Sequence, residues 1–295
     1  MYSEILPFWT RYWYHVVITL LSCLLIEGFF QRRKRGTSSI YGDSSKYPDG
    51  RTDENEALEE NSDDEESIDS ALPKDLEHIP YEYERPTEEE LLTRANEFYK
   101  KVSARRTIRF FSDDPVPREV IREIIKAAGT APSGAHTEPW SFVAVSNRSV
   151  KSRIREIVER EEEINYKKRM GKKWTTDLRP LKTNWIKEYL TTAPYLILVF
   201  KQVYGFLPNG KKKVHYYHEM SVSIACGILI TAIQYAGLVT LTSTPLNCGP
   251  AIRTLLDRPS NEKLVLLLPI GYPAKDATVP DLRRKPLSEI LIEIE

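Results

Sequence analysis

The chain has 295 residues, 41% of them hydrophobic and 28% charged, and its 42 basic and 42 acidic side chains cancel. That length holds one domain of ordinary size plus further segments, and the apolar share supports a packed core. Balanced charge argues against a nucleic-acid binder working through a broad basic face.

The balance hides an asymmetry along the chain. Residues 12–30 are almost all apolar, with Glu27 the only charge. About 19 helical residues at ~1.5 Å each roughly span a bilayer's hydrocarbon core. Trp9, Tyr12, Trp13 and Tyr14 gather at one end, as interfacial aromatics do. A buried core helix and a cleaved signal peptide are the alternatives. A signal peptide wants a basic start and a small-x-small cleavage site. This start carries only Arg11, and the run ends in Arg32-Arg33-Lys34-Arg35, a stop-transfer flank. Residues 1–36 therefore read as a membrane anchor. Positive flanks stay cytoplasmic, which puts the C-terminal part in the cytosol, on the plasma membrane or a vesicle membrane. Beyond Cys23 in that anchor only Cys226 and Cys248 remain, with no CxxC, so there is no disulfide framework.

Residues 37–79 are rich in Ser, Gly, Asp and Glu, and 53–69 are strongly acidic. Such a stretch buries too little apolar surface to offset its ordering entropy and reads as a disordered linker, with an acidic binding tail as the alternative.

Residues 80–295 are the catalytic candidate. Patterning predicts helices over 88–103, 118–129, 151–168 and 220–238, the second closed by Gly129. It predicts strands over 140–145, 195–201, 240–244 and 263–270. The 220–238 segment is apolar nearly all round and must be buried in a core or an interface. The class is α+β, a sheet flanked by helices.

Several common motifs are absent. No GxGxxG follows a strand, no GxSxG occurs, and Asn209-Gly210-Lys211-Lys212-Lys213 lacks the first glycine and the Ser/Thr of a P-loop, so its lysines read as a solvated turn. His215 and His218 beside Glu219 lack the third ligand of a catalytic zinc site, and HExxH is missing. No metal is expected, and His218 reads as a polar residue at the start of the buried helix.

Four segments carry chemistry. Arg105-Arg106-Thr107-Ile108-Arg109 sets three arginines and a hydroxyl in five residues, suited to a phosphate or another anion. If extended, it places Arg105, Thr107 and Arg109 on one face; a solvated basic edge is the bland alternative. The run 130–140 (TAPSGAHTEPW) is a rigid turn with exposed backbone N–H groups, against which a flat ligand could lie at Gly134 and Ala135. Thr242-Ser243-Thr244-Pro245 offers hydroxyls to a bound ring, and Arg283-Arg284-Lys285 is a further anion candidate.

Together these segments resemble the FMN site of the nitroreductase superfamily. The runs 131–140, 162–166 (EEINY), 184–189 (NWIKEY) and 244–250 (TPLNCGP) are similar to its iodotyrosine deiodinase branch, and the similarity extends from about His78 to the C-terminus. Thr107 and Ser243 stand where that branch would have Ser and Thr; both swaps keep a hydroxyl.

The resemblance implies an FMN-binding fold with a central mixed sheet in an intertwined homodimer. Arg105, Arg106, Thr107, Ile108, Arg109 and Arg284 would hold FMN. Ser133 and Gly134 would approach the flavin from the partner subunit. Thr242, Ser243 and Thr244 would line its ring, with Thr244 at N5 as the catalytic contact. The implied substrates are halotyrosines, dehalogenated reductively with electrons from NADPH through a separate reductase, which would serve iodide salvage. An iodotyrosine is a zwitterion with an acidic phenol. Glu162 would pair with its ammonium, Lys187 with its carboxylate, Tyr166 with the same portion, and the Ala135 N–H with the phenolate. Glu162 and Tyr166 lie at i, i+4 on one helix face. Without the resemblance, Glu162 in Glu159-Arg160-Glu161-Glu162-Glu163 reads as solvated surface. A general nitroreductase or quinone reductase is the runner-up, and a membrane-tethered binding protein is the alternative from another class.

Overall fold

A computed structural model describes residue 70 and residues 72–295. The apolar run 12–30, its basic flank and the acidic stretch 53–69 lie outside the described residues. Among the described residues, no helix is long and apolar enough to cross a membrane.

The sheet is built around β2 (Tyr195–Gln202). It pairs antiparallel with β1 (Trp140–Val145) on one side and β6 (Glu262–Gly271) on the other, and β5 (Val239–Thr240) adds to the far edge of β6. Thr107 forms a parallel bridge to Thr240, which makes the sheet mixed and draws the arginine segment onto its edge. Strand side chains alternate between faces. Leu196, Leu198 and Phe200 of β2 join one core with Ile154, Leu190 and Ile252, while Ile197 and Val199 join another with Ile121, Cys226 and Leu229. A strand buried on both faces needs the continuous apolar run that β2 has.

Helices α3 (Arg148–Ile164), α5 (Tyr189–Thr192) and α7 (Gly249–Leu255) therefore cover one face. Helices α2 (Arg118–Gly129) and α6 (His218–Tyr235) cover the other. Helix α1 (Glu88–Ser103) starts with a capping box, in which Thr87 Oγ1 accepts from the Glu90 N–H and the Glu90 carboxylate accepts from the Thr87 N–H. None of its residues is buried, and Leu91, Leu92, Phe98 and Tyr99 are exposed.

Several expectations change in detail. The helix expected over 151–168 is α-helical only to Ile164, and a π-helical turn, Asn165–Arg169, replaces its last turn. Helix α4 (Gly171–Leu178) follows. Gly129 ends α2 without a left-handed conformation, since Thr130 caps that helix through its N–H. Of the strand expected over 240–244 only Thr240 joins the ladder, together with Val239 before it, and Ser243 returns as an isolated bridge to Leu267. The lysines expected in a turn lie partly in a hairpin, β3 (Tyr204–Phe206) with β4 (Lys212–Val214).

Candidate active site

The edge bridge at Thr107 fixes the arginine segment through the Ile108 N–H, which donates to the Thr240 carbonyl at 3.2 Å. The Ile108 side chain is buried in the core. Its neighbours face a cavity of ≈ 270 Å³ lined by Arg105, Arg106, Thr107, Arg109, Arg283 and Arg284. Among the described residues, no carboxylate lines it. Arg106 hydrogen-bonds the Pro280 carbonyl, and Arg284 donates to the Arg105 carbonyl at 2.9 Å, so the chain's C-terminal segment closes one wall. Burial, then the Arg284 charge, holds the Arg105 guanidinium below its usual pKa. Arginines at close quarters with no carboxylate among the described residues suit a polyanion such as a phosphate. A second cavity of ≈ 220 Å³ shares Thr107, Arg109, Leu181, Val279 and Pro280 with the first.

Beside it stands an ion pair. Helix α3 ends with Glu162 turned inward, and Lys187 just before α5 meets it, Nζ to Oε2 at 3.7 Å. Both residues are buried. Asn165 Nδ2 donates to the other Glu162 oxygen at 3.3 Å. Lys187 Nζ also donates to the Asn184 carbonyl and lies 5.4 Å from the centre of the Tyr166 ring. Tyr166 sits in the π-turn, edge-on to Trp185 at 6.1 Å. Single π-turns inside helices recur at functional sites.

Burial pushes Lys187 below its usual pKa, partly opposed by the Glu162 charge. Burial raises the Tyr166 phenol. The Arg109 charge acts on Tyr166, Lys187 and Tyr189 alike, which sets the arginine segment near the ion pair.

Ser243 is pinned on both sides, its N–H donating to the Leu267 carbonyl at 3.1 Å and its carbonyl accepting from the Leu267 N–H at 2.8 Å. Thr242 and Thr244 flank it with exposed side chains. Tyr189 is buried, and burial, then the Glu162 charge, raises its phenol pKa. Nothing in the sequence singled out Tyr189. The signal available was its place two residues after Lys187.

Ser133, Gly134 and Ala135 line neither cavity. Their loop is nonetheless a built feature. Ala135, His136 and Glu138 have φ of 49°, 52° and 48°, a left-handed conformation costing about 1–3 kcal/mol per residue that collects at functional sites. Ser133 Oγ accepts from the Glu138 N–H at 3.0 Å. A Cβ on Gly134 would lie 2.9 Å from the Tyr216 carbonyl oxygen, so only glycine allows this approach.

The "Nitroreductase family" model matches residues 102–272. Iodotyrosine deiodinase 1 of Homo sapiens is 53% identical over 283 residues, covering 94% of this chain and 98% of that protein. Iodotyrosine deiodinase of Hydra vulgaris is 60% identical over 227 residues, 77% of this chain and 83% of that protein. A crystal structure of oxidised iodotyrosine deiodinase bound to FMN and 3-iodo-L-tyrosine matches with a TM-score of 0.58 and 30% identity, covering 67% of this chain and 98% of that one.

Proposed function

The chain belongs to the nitroreductase family, and within it to the iodotyrosine deiodinases, from which we infer that it is an FMN-dependent reductive dehalogenase of halotyrosines. It converts 3-iodotyrosine and 3,5-diiodotyrosine to tyrosine and iodide, which serves iodide salvage. Each C–I bond broken takes up two electrons and one proton and releases one halide. Bound FMN supplies the electrons.

The observation that carries this reading is the buried Glu162–Lys187 pair beside Arg109. A zwitterion can replace the pair's mutual contact, its ammonium on Glu162 and its carboxylate on Lys187. Tyr166 hydrogen-bonds the same amino-acid portion, and the Ala135 N–H receives the phenolate. Arg105, Arg106, Thr107, Ile108, Arg109 and Arg284 would hold the cofactor's phosphate, ribityl chain and ring edge. Ser133 and Gly134 reach it from a partner subunit. Thr242, Ser243 and Thr244 would line the ring, with the Thr244 hydroxyl available to hydrogen-bond it.

A homodimer is part of this proposal. The uncovered apolar side chains of α1, Met220 and Ile224 of α6, and Leu287, Ile290 and Ile292 near the C-terminus together exceed what single surface residues account for. We extend it to a membrane anchor in residues 1–36 and to a separate reductase passing NADPH electrons to the cytosolic domain. A general nitroreductase or quinone reductase has no zwitterion to hold and no use for the buried pair. Titrating FMN-loaded protein with 3-iodotyrosine and with 2-iodophenol, followed by flavin fluorescence, tests the reading. Iodotyrosine should quench at concentrations where iodophenol does not; equal response to both would refute it.

A further inference from the structure

Helix α3 carries ionic side chains at Lys151, Arg155, Glu159 and Glu162, spaced to share one face. All four act on the short segment 187–193. Lys151, buried, donates Nζ to the Ala193 carbonyl at 2.6 Å and the Thr191 carbonyl at 3.2 Å. Arg155 donates Nη1 to Thr191 Oγ1 at 3.0 Å and Nε to Glu159 Oε1 at 2.7 Å. That same Glu159 oxygen accepts the backbone N–H of Lys187 at 2.6 Å. One turn further on, Glu162 meets the Lys187 ammonium.

We propose that Glu159 is a positioning residue of the substrate site: its carboxylate pins the Lys187 backbone and so aims the Lys187 ammonium between Glu162 and Tyr166, where the substrate carboxylate is received. The proposal rests on the halotyrosine reading above. An exposed Arg–Glu pair at i, i+4 contributes little by itself. The Arg155–Glu159 pair differs because its shared oxygen also holds a backbone N–H of the ligand-binding segment, and a charge-assisted bond of that length is among the stronger ones. The geometry also places a second negative charge near the Lys187 ammonium, helping to keep it protonated against burial.

The test compares Glu159→Ala and Glu159→Gln in the FMN-loaded full-length protein. Glu159→Ala should raise KM for 3-iodotyrosine about tenfold or more. Its FMN content, its kcat and its affinity for 2-iodophenol should stay near wild type. The alkaline limit of iodotyrosine binding should move to lower pH, because Lys187 loses a stabilising charge. Glu159→Gln keeps an acceptor for the Lys187 N–H, so it should restore much of the affinity at neutral pH while keeping the shifted limit. Unchanged iodotyrosine affinity in Glu159→Ala overturns the proposal. Loss of FMN, or equal loss for iodotyrosine and iodophenol, also overturns it, since either marks general unfolding of the site. A wild-type protein that binds FMN but not iodotyrosine removes the halotyrosine reading and this role with it.

Discussion

The Lys187 ammonium lies 3.7 Å from the Glu162 carboxylate, with the two side chains only 7% and 11% exposed. A pair so nearly sealed from water is weak evidence for stability, because desolvation offsets most of the attraction. It makes sense as a site that a ligand completes. Lys187→Gln and Glu162→Gln each delete one charge at nearly constant size. Each should weaken iodotyrosine binding about tenfold or more, as loss of a charged hydrogen bond does, and leave FMN content unchanged. Isothermal titration of each variant checks this, and unchanged affinity in both would remove the assignment.

The arginine cavity leads to a second expectation. Arg105→Ala and Arg284→Ala each remove a lining guanidinium. Loss of a charged hydrogen bond to phosphate is worth roughly 1.5–3 kcal/mol, so the FMN dissociation constant should rise about tenfold to over a hundredfold. Fluorimetric titration of the apoprotein with FMN measures it. Arg284 also donates to the Ser103 and Arg105 carbonyls, so its loss should loosen the C-terminal wall as well.

His215 sets an acid limit on stability. It is 4% exposed, and neither ring nitrogen has a hydrogen-bond partner among the described residues. Burial, then the Lys213 and His218 charges, lowers its pKa from 6.5 to about 4. Between these values the unfolded chain binds a proton that the fold does not. Stability should therefore fall as pH drops from 6.5 toward 4, by about 3 kcal/mol over the window. Urea midpoints across that range should decline in wild type and decline less in His215→Phe. Parallel curves for the two proteins would contradict it.

Elements with strong local signals were legible from sequence. Helix α1 falls where patterning set it, over 88–103, and β2 had its unbroken apolar run. The hairpin β3–β4 was not, because three lysines in a row read as a solvated turn whichever structure holds them. The π-turn at Asn165–Arg169 changes one hydrogen-bond step inside a continuous helical pattern and leaves no mark in periodicity. Residue type alone left the arginines open between an anion site and a solvated basic edge; the structure sets them around one cavity. Glu162 was not legible, since a glutamate inside a charged helix reads as solvated until tertiary packing turns that face inward. The family resemblance supplied its proposed role, and Glu159 escaped notice for the same reason.

Reduction of the substrate itself is the most direct test. The FMN-loaded protein is reduced under anaerobic conditions, freed of excess reductant and mixed with 3-iodotyrosine, and flavin absorbance, tyrosine and iodide are followed together. The expected result is reoxidation of the flavin with one tyrosine and one iodide formed per flavin, since each C–I bond consumes the two electrons that one reduced FMN carries. A flavin that stays reduced in the presence of saturating iodotyrosine, with no iodide released, would contradict reductive dehalogenation.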